Sequence, residues 1–174
     1  MAQDKFSLKF GWLPIRNGVA GLALAATAVT AAAASKIVFA GGGWAAIDFG
    51  NRCEARSKPQ WSKRGTTPYA GFAFDRGGAR QGQFYVHLGR AARSGASVIA
   101  TIGVQPFLLG GKGEWAWSRN VQQQSAMIEA ARAGGLMRID SRDSHGARIV
   151  DRYALGGAPT AIDAAAAACA GKSG

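Results

Sequence analysis

Between Trp44 and Leu155 the large apolar residues fall in short segments that alternate in side, and glycine-bearing turns separate them. A period of two over about four to eight residues marks a half-buried strand, whereas a helix needs a period near 3.6 over a longer run. "QFYVHLG" (83–89) sets Phe84, Val86 and Leu88 on one face and Tyr85 and His87 on the other. "PYAGFAF" (68–74) alternates likewise, with Tyr69, Gly71 and Ala73 opposite Ala70, Phe72 and Phe74. "ASVIATIGV" (96–104) is a β-branched run suited to a central strand. Pro106 confines "PFLLGG" to an edge or a bend, and "GEWAWS" lines up Trp115 and Trp117 on one face. "WAAIDFGNRCEA" (44–55) keeps no single period until it is broken at Gly50 into two strand pieces. "LMRIDS" and "ARIVDRYAL" flank the turn "RDSHG". In the second, Ile149, Asp151 and Tyr153 oppose Arg148, Val150 and Arg152, a mixed pattern that suits a strand near a sheet edge.

Two stretches have helical character. Asn120 followed by Gln123 is a capping-box pair, and Val121, Met127, Ile128 and Ala131 then form an apolar stripe. Gly134 is expected to close this helix in the left-handed conformation. The second helix is expected to start from Thr160 as N-cap, with Asp163 at its third position, and to run to about Ala170 before Gly171. Strands and helices do not alternate regularly, which excludes a doubly wound α/β fold. The expected fold is mainly β: an antiparallel β-sandwich or barrel-like domain with one inserted helix and a C-terminal helix.

The terminal helix is rich in alanine, which favours helix but buries little area. Ile162, Ala166 and Cys169 share one face, and of these only Ile162 offers a sizeable apolar surface. Such a helix needs another fastening, and the chain's only other cysteine is Cys53. A Cys53–Cys169 disulfide would close a loop worth about 4–5 kcal/mol of chain entropy, and an oxidising compartment would preserve it. Two separate buried thiols, or a bond between two copies through a solvent-facing Cys169, are the alternatives. No CxxC is present, and the spacing of two cysteines and two histidines does not suggest zinc.

The front of the chain has a different composition. Residues 1–17 carry Lys5, Lys9 and Arg16 against Asp4, and residues 18–35 are uncharged, apolar and small, with Ala-x-Ala at Ala32–Ala34. These are the three parts of a secretory signal peptide, with the mature chain expected to begin close to Ser35 or Lys36. A retained N-terminal membrane anchor also fits, because apolar residues resume after Lys36. The expected organisation is a leader over 1–35, a single β-rich domain over 36–170 and a short tail over 171–174. The expected location is the periplasm or the outer membrane, or the inner membrane if the leader is kept.

The chain holds 21 basic and 10 acidic residues, a formal charge of +11. Setting aside Lys5, Lys9, Arg16 and Asp4 with the leader leaves an excess of nine positive charges. The densest group is "RSKPQWSKR" (56–64), with Arg90 and Arg93 following. Lys58, Trp61, Lys63, Arg64, Arg90 and Arg93 are therefore candidates for contact with acidic lipid, glycan or an envelope protein, joined by Trp115, Trp117 and Arg119. The same segment also reads as a solvated loop, and Trp115 and Trp117 are given more weight as core than as contact. No nucleic-acid-binding motif is present.

Catalytic chemistry finds little footing. Asp143, Ser144 and His145 are triad residue types, but sequence neighbours cannot all point at one another, and a turn explains them. "LLGGKGEW" lacks the leading glycine and the Ser/Thr after Lys112 that a phosphate loop requires, and reads as a hairpin. No catalytic residue, cofactor or metal ligand is assigned. The preferred reading is a non-enzymatic exported envelope protein that binds or supports; the rival is a small periplasmic hydrolase built on His87 or His145.

"WAAIDFGNRCEA" together with "YALGGAPTAIDAAAAAC" resembles the invasion-associated locus B family of bacterial exported proteins. The positions that carry the resemblance are Trp44 and Cys53, then Leu155, Gly157, Ala161, Ile162, Ala164 and Cys169. The resemblance spans roughly residues 42–170. It implies a periplasmic or outer-membrane-associated β domain without assigned catalytic residues, linked in some members to entry of host cells. Relatives often have additional cysteines, and the helix over 120–133 looks like an insertion.

Overall fold

The computed structural model describes residues 34–63 and 65–171. Residues 1–33, Arg64 and residues 172–174 lie outside that range, and the expected signal peptide, anchor and tail fall largely on them. Eleven strands and two helices follow in order: β1 (Lys36–Gly41), β2 (Trp44–Asp48), β3 (Arg52–Ser57), β4 (Tyr69–Asp75), β5 (Gln81–His87), β6 (Ile99–Ile102), β7 (Gln105–Leu108), β8 (Gly110–Lys112), β9 (Trp115–Trp117), α1 (Val121–Ala133), β10 (Leu136–Arg142), β11 (Arg148–Ala154) and α2 (Ala158–Ala170). They form a seven-stranded sheet in the order β1-β2-β3-β4-β5-β9-β8 and a four-stranded sheet in the order β11-β10-β6-β7. All strand pairs are antiparallel. The fold is mainly β and sandwich-like, with one internal and one C-terminal helix; neither sheet closes into a barrel.

The alternation read from the sequence is the alternation of burial. Phe84, Val86, Phe72 and Ala70 point into the core, while Tyr69, Tyr85 and His87 lie on the outer face. Gly50, at φ +88°, turns the chain between β2 and β3, and β6 lies inside its sheet with β7 and β11 at the edges. One apolar cluster joins the inner faces of both sheets to the helices, with Trp44, Phe72, Phe84, Met127, Ile139 and Tyr153 among its largest members. Strand β1 has no counterpart in the sequence reading: it is an edge strand with Ile37 and Val38 exposed, so burial does not impose alternation on it.

Both helix ends need correction. Gly134 follows α1 in extended backbone (φ −89°, ψ 152°), not in the left-handed region. Asn120 does cap α1, accepting from the Gln123 N–H at 2.8 Å, but the Gln123 side chain accepts from Arg119 rather than closing the box. α2 starts at Ala158 and not after Thr160, because Pro159 suits the first turn and Gly157 serves as N-cap. Gly157 lies against the Gly41–Gly42 turn so closely that a Cβ there would overlap the Gly41 carbonyl. This close approach ties the entry of α2 to β1. Asp163 sits beyond the first turn and pairs with Arg132 of α1.

α2 lies across β1–β4 on the inner face, burying Ala158, Ala161, Ile162, Ala165 and Cys169. Its Cys169 is bonded to Cys53 of β3, with Cα atoms 5.7 Å apart, and the chain has no free cysteine. The terminal helix is thus fastened where the sequence expects it.

Candidate functional site

The outer face of the seven-stranded sheet carries a polar and aromatic constellation. Register decides its layout. Glu54 of β3 stands opposite Ala73 of β4, which stands opposite Gln83 of β5. In the next row Arg56 faces Gly71, Gly71 faces Tyr85, and Tyr85 faces Trp117 of β9. In the third, Tyr69 faces His87, and His87 faces Trp115. Small residues on β4 between larger ones on β3, β5 and β9 leave a bowl of about 640 Å³.

Gly71 lets the bowl wire itself together. Tyr85 reaches over β4 at that point and donates its hydroxyl to Glu54 Oε2 at 2.6 Å, across one intervening strand. A Cβ at Gly71 would overlap the Ala55 carbonyl oxygen and come 2.9 Å from the Tyr85 hydroxyl. Gly71→Ala is expected to cost about 1–3 kcal/mol through overpacking and to detach Tyr85 from Glu54. Denaturant melts check the first effect. The second is checked by the Tyr85 phenol titrating closer to its ordinary range in the variant.

Glu54 is only 4% exposed, and both its oxygens accept hydrogen bonds. Oε1 accepts from Arg52 Nε at 2.8 Å; Oε2 accepts from Tyr85 and from Arg56 Nη2. Burial alone would raise its pKa, but the Tyr85 and arginine hydrogen bonds outweigh that and hold the carboxyl below its ordinary range. Burial, then the adjacent Glu54 charge, keeps the Tyr85 phenol protonated far above its ordinary range. Arg56 Nε also donates to the Tyr85 oxygen at 3.2 Å, and its guanidinium lies 4.5 Å from the Tyr69 ring centroid. Arg52 lies 4.6 Å from the Phe49 ring centroid. Arg80 makes a two-pronged pair with Asp75 at the rim. One buried carboxylate therefore orients two half-buried guanidinium groups, whose remaining N–H donors are available to an oxyanion.

Trp115 and Trp117 form the aromatic wall at 42% and 38% exposure, so the core reading of these residues is wrong. Their neighbour Ala116 is the buried one, since alternation can bury only one face of β9 and the core side is occupied by Ala116. His87 packs between Tyr69 and Trp115, with ring centroids 5.1 and 4.7 Å away, and its Nε2 lies 2.9 Å from Glu114.

The other candidates read from the sequence do not form one surface. Arg93 and Arg119 meet Lys112 at a separate groove beside β8. Trp61, 72% exposed, and Lys63 border a third depression that reaches Asp151. Arg90 borders it too, but is held by Asp143 at 3.2 Å and by the Arg148 carbonyl. Lys58 lies beside a shallow apolar hollow near Trp44, and Arg64 is outside the described residues. Sequence proximity grouped these side chains; strand order separates them.

Arg52, Glu54, Tyr85 and Arg80 are not among the candidate site residues read from the sequence, although Tyr85 is placed there on the outer strand face. The available signal was the alternation R-x-E-x-R over 52–56, which puts two arginines and a glutamate on one strand face. In the "RDSHG" turn, Asp143 Oδ1 accepts from the backbone N–H of His145 and of Ala147, so it holds the turn rather than the imidazole. Among the described residues no group of three or more His, Cys, Asp or Glu is arranged to hold a metal ion. In comparisons with known proteins, this chain matches no family model, no curated protein and no solved structure.

Proposed function

We propose that this chain is a non-enzymatic, exported envelope protein of the invasion-associated type that works by binding, and that the outer-face bowl is its contact site for an anionic sugar or lipid head group. The observation that carries the reading is the engagement of the buried Glu54 by three donors. A buried carboxylate that already accepts three hydrogen bonds, from Tyr85, Arg52 and Arg56, is poorly placed to move protons, and well placed to fix guanidinium groups beside two half-exposed indoles. The bowl volume falls within the usual range of ligand sites, about 300–1,000 Å³. Export is supported by the leader-like front end and by the Cys53–Cys169 bond, a kind of cross-link that persists in oxidising compartments.

The test is titration of the full chain with a short galacturonate oligomer and with phosphatidylglycerol vesicles, following tryptophan fluorescence. Binding is expected to weaken as salt rises, because exposed charges are screened within about 8–10 Å at 0.1–0.15 M. Arg52→Gln and Arg56→Gln are each expected to weaken it about ten-fold or more, the scale of a lost charged hydrogen bond. Lys58→Gln and Lys63→Gln, outside the bowl, should change it far less. Equal loss in both pairs of variants would return the contact to the 56–64 segment and reject the bowl.

A further inference from the structure

A second cationic depression lies on the other side of the β8–β9 hairpin that walls the bowl. It is a groove of about 490 Å³ between β8 and the loop over 92–98, and it carries Arg93, Lys112 and Arg119. No carboxylate lines it, and none of these three cations pairs with one among the described residues. Arg119 is set in place through its backbone N–H to Gln123 and a 3.4 Å contact from Nη2 to the Leu109 carbonyl. Three unneutralised cations around one groove make a site for negative charge.

The bowl and the groove are separated by β8, whose positions on the face of the tryptophans are Gly110 and Lys112; a Cβ at Gly111 would instead face Val98 and Ala116 on the inner side. β8 is Gly110–Gly111–Lys112, paired with β9 so that Gly110 faces Trp117 and Lys112 faces Trp115. The Trp117 indole lies against Gly110, where a Cβ would come 3.3 Å from its Nε1. The Trp117 indole thus covers Gly110 and carries the aromatic wall of the bowl across β8 toward Lys112.

We infer that the ligand is a linear acidic polysaccharide whose successive anionic residues occupy the bowl and then the groove, with the polymer crossing β8 over the Trp117 indole that lies on Gly110. This rests on the bowl being a binding site, as proposed above. Arg52 and Arg56 take one anionic group, and Arg93, Lys112 and Arg119 take another further along. The exposed tryptophans supply apolar faces between them, and Gln83, Ser94 and Ser97 supply neutral donors and acceptors for hydroxyl groups. A glycan is favoured over nucleic acid by the disulfide, which places the folded chain among compartments where acidic polysaccharide is the common polyanion.

The experiment titrates the full chain with galacturonate oligomers from dimer to octamer, alongside single-stranded DNA of the octamer's charge. The octamer is expected to bind about 100-fold more tightly than the dimer, the lower range for two linked sites. The double substitution Arg93→Gln with Lys112→Gln should abolish that gain, Arg52→Gln should weaken binding of both oligomers, and Lys58→Gln, which lines neither depression, should change neither. An octamer that binds through both sets of residues when the dimer is too weak to detect also supports the inference. An octamer no tighter than the dimer, or indifferent to the groove substitutions, overturns it while leaving the bowl intact. If Arg52→Gln changes nothing with either oligomer, the bowl itself is rejected. Tighter binding of the DNA overturns the choice of glycan. Circular dichroism and a thiol assay confirm that each variant is folded and bonded.

Discussion

Removing the Cys53–Cys169 bond is expected to lower the stability of the domain by up to about 5 kcal/mol, and to free α2 before either sheet melts. The bond joins residues 116 apart, and the chain-entropy model gives about 5 kcal/mol for a loop of that size. A domain of this length is held by about 5–15 kcal/mol in all, so the loss is a large share of the whole. The helix is the first casualty because of what it buries. Of its inward residues Ala158, Ala161, Ile162, Ala165 and Cys169, only Ile162 brings the area of a large side chain. Its other fastenings are the close approach of Gly157 to Gly41 at one end and a 2.8 Å hydrogen bond from Arg76 Nη1 to the Gly171 carbonyl at the other. A third, the Arg132–Asp163 pair near the middle, is exposed and worth under about 1 kcal/mol. Hydrogen exchange on the Cys53→Ser, Cys169→Ser double variant should therefore show protection lost across 161–170 and kept in β3–β5. Denaturant melts of the variant and of the reduced wild type should agree. Unchanged helix protection in both would mean that alanine packing alone holds α2 to the sheet.

The fold was legible wherever one face of a segment had to be buried. β4 and β5 sit at the middle of a sheet covered on one side, so Phe72, Phe84 and Val86 had to alternate with Tyr69, Tyr85 and His87, and the letters record that alternation. The edge strand β1 escaped for the converse reason: with Ile37 and Val38 exposed, nothing selects between its faces. The start of α2 escaped because it depends on backbone packing between Gly157 and Gly41, residues distant in sequence. Local capping preference pointed to Thr160, and the tertiary contact overrode it.

The site was legible only in fragments. The pairing of Trp115 and Trp117 on one face was visible, but which face met the core was not, since Ala116 gives little hydrophobic signal of its own. The positive charge was visible as a cluster along the chain at 56–64, whereas the bowl collects its charge from Arg52 and Arg56 on one face of β3 and from Arg80 in the turn before β5. Register is a non-local property, set by turns and by the buried face of every neighbouring strand. Without it, the reach of Tyr85 over Gly71 to Glu54 could not be inferred.

Asp151→Asn is expected to stabilise the protein by up to about 3 kcal/mol at pH 8 and to leave it nearly unchanged at pH 4. Asp151 lies on the buried side of β11 at 7% exposure, between Ile149 and Tyr153 in the inward row. Its Oδ2 and the Tyr153 hydroxyl are both buried without a hydrogen-bond partner among the described residues. Burial pushes the carboxyl up to about 6, and Arg90, engaged with Asp143, offsets only part of that. The unfolded chain titrates near the ordinary carboxylate value of about 3.9, so the folded state holds its proton more firmly. Stability from this group is fully present below about pH 4 and is lost as pH rises through about 6. A shift of about two pKa units corresponds to about 3 kcal/mol, which the wild type loses between those limits. Asparagine keeps the shape, carries no charge at any pH, and its amide can donate toward the Tyr153 oxygen. Melts of both proteins from pH 4 to pH 8 should diverge by that amount across the window, with the variant curve the flatter. Parallel curves would show that Asp151 is solvated through the depression bordered by Trp61 and Lys63, and that its carboxylate is accommodated rather than merely endured.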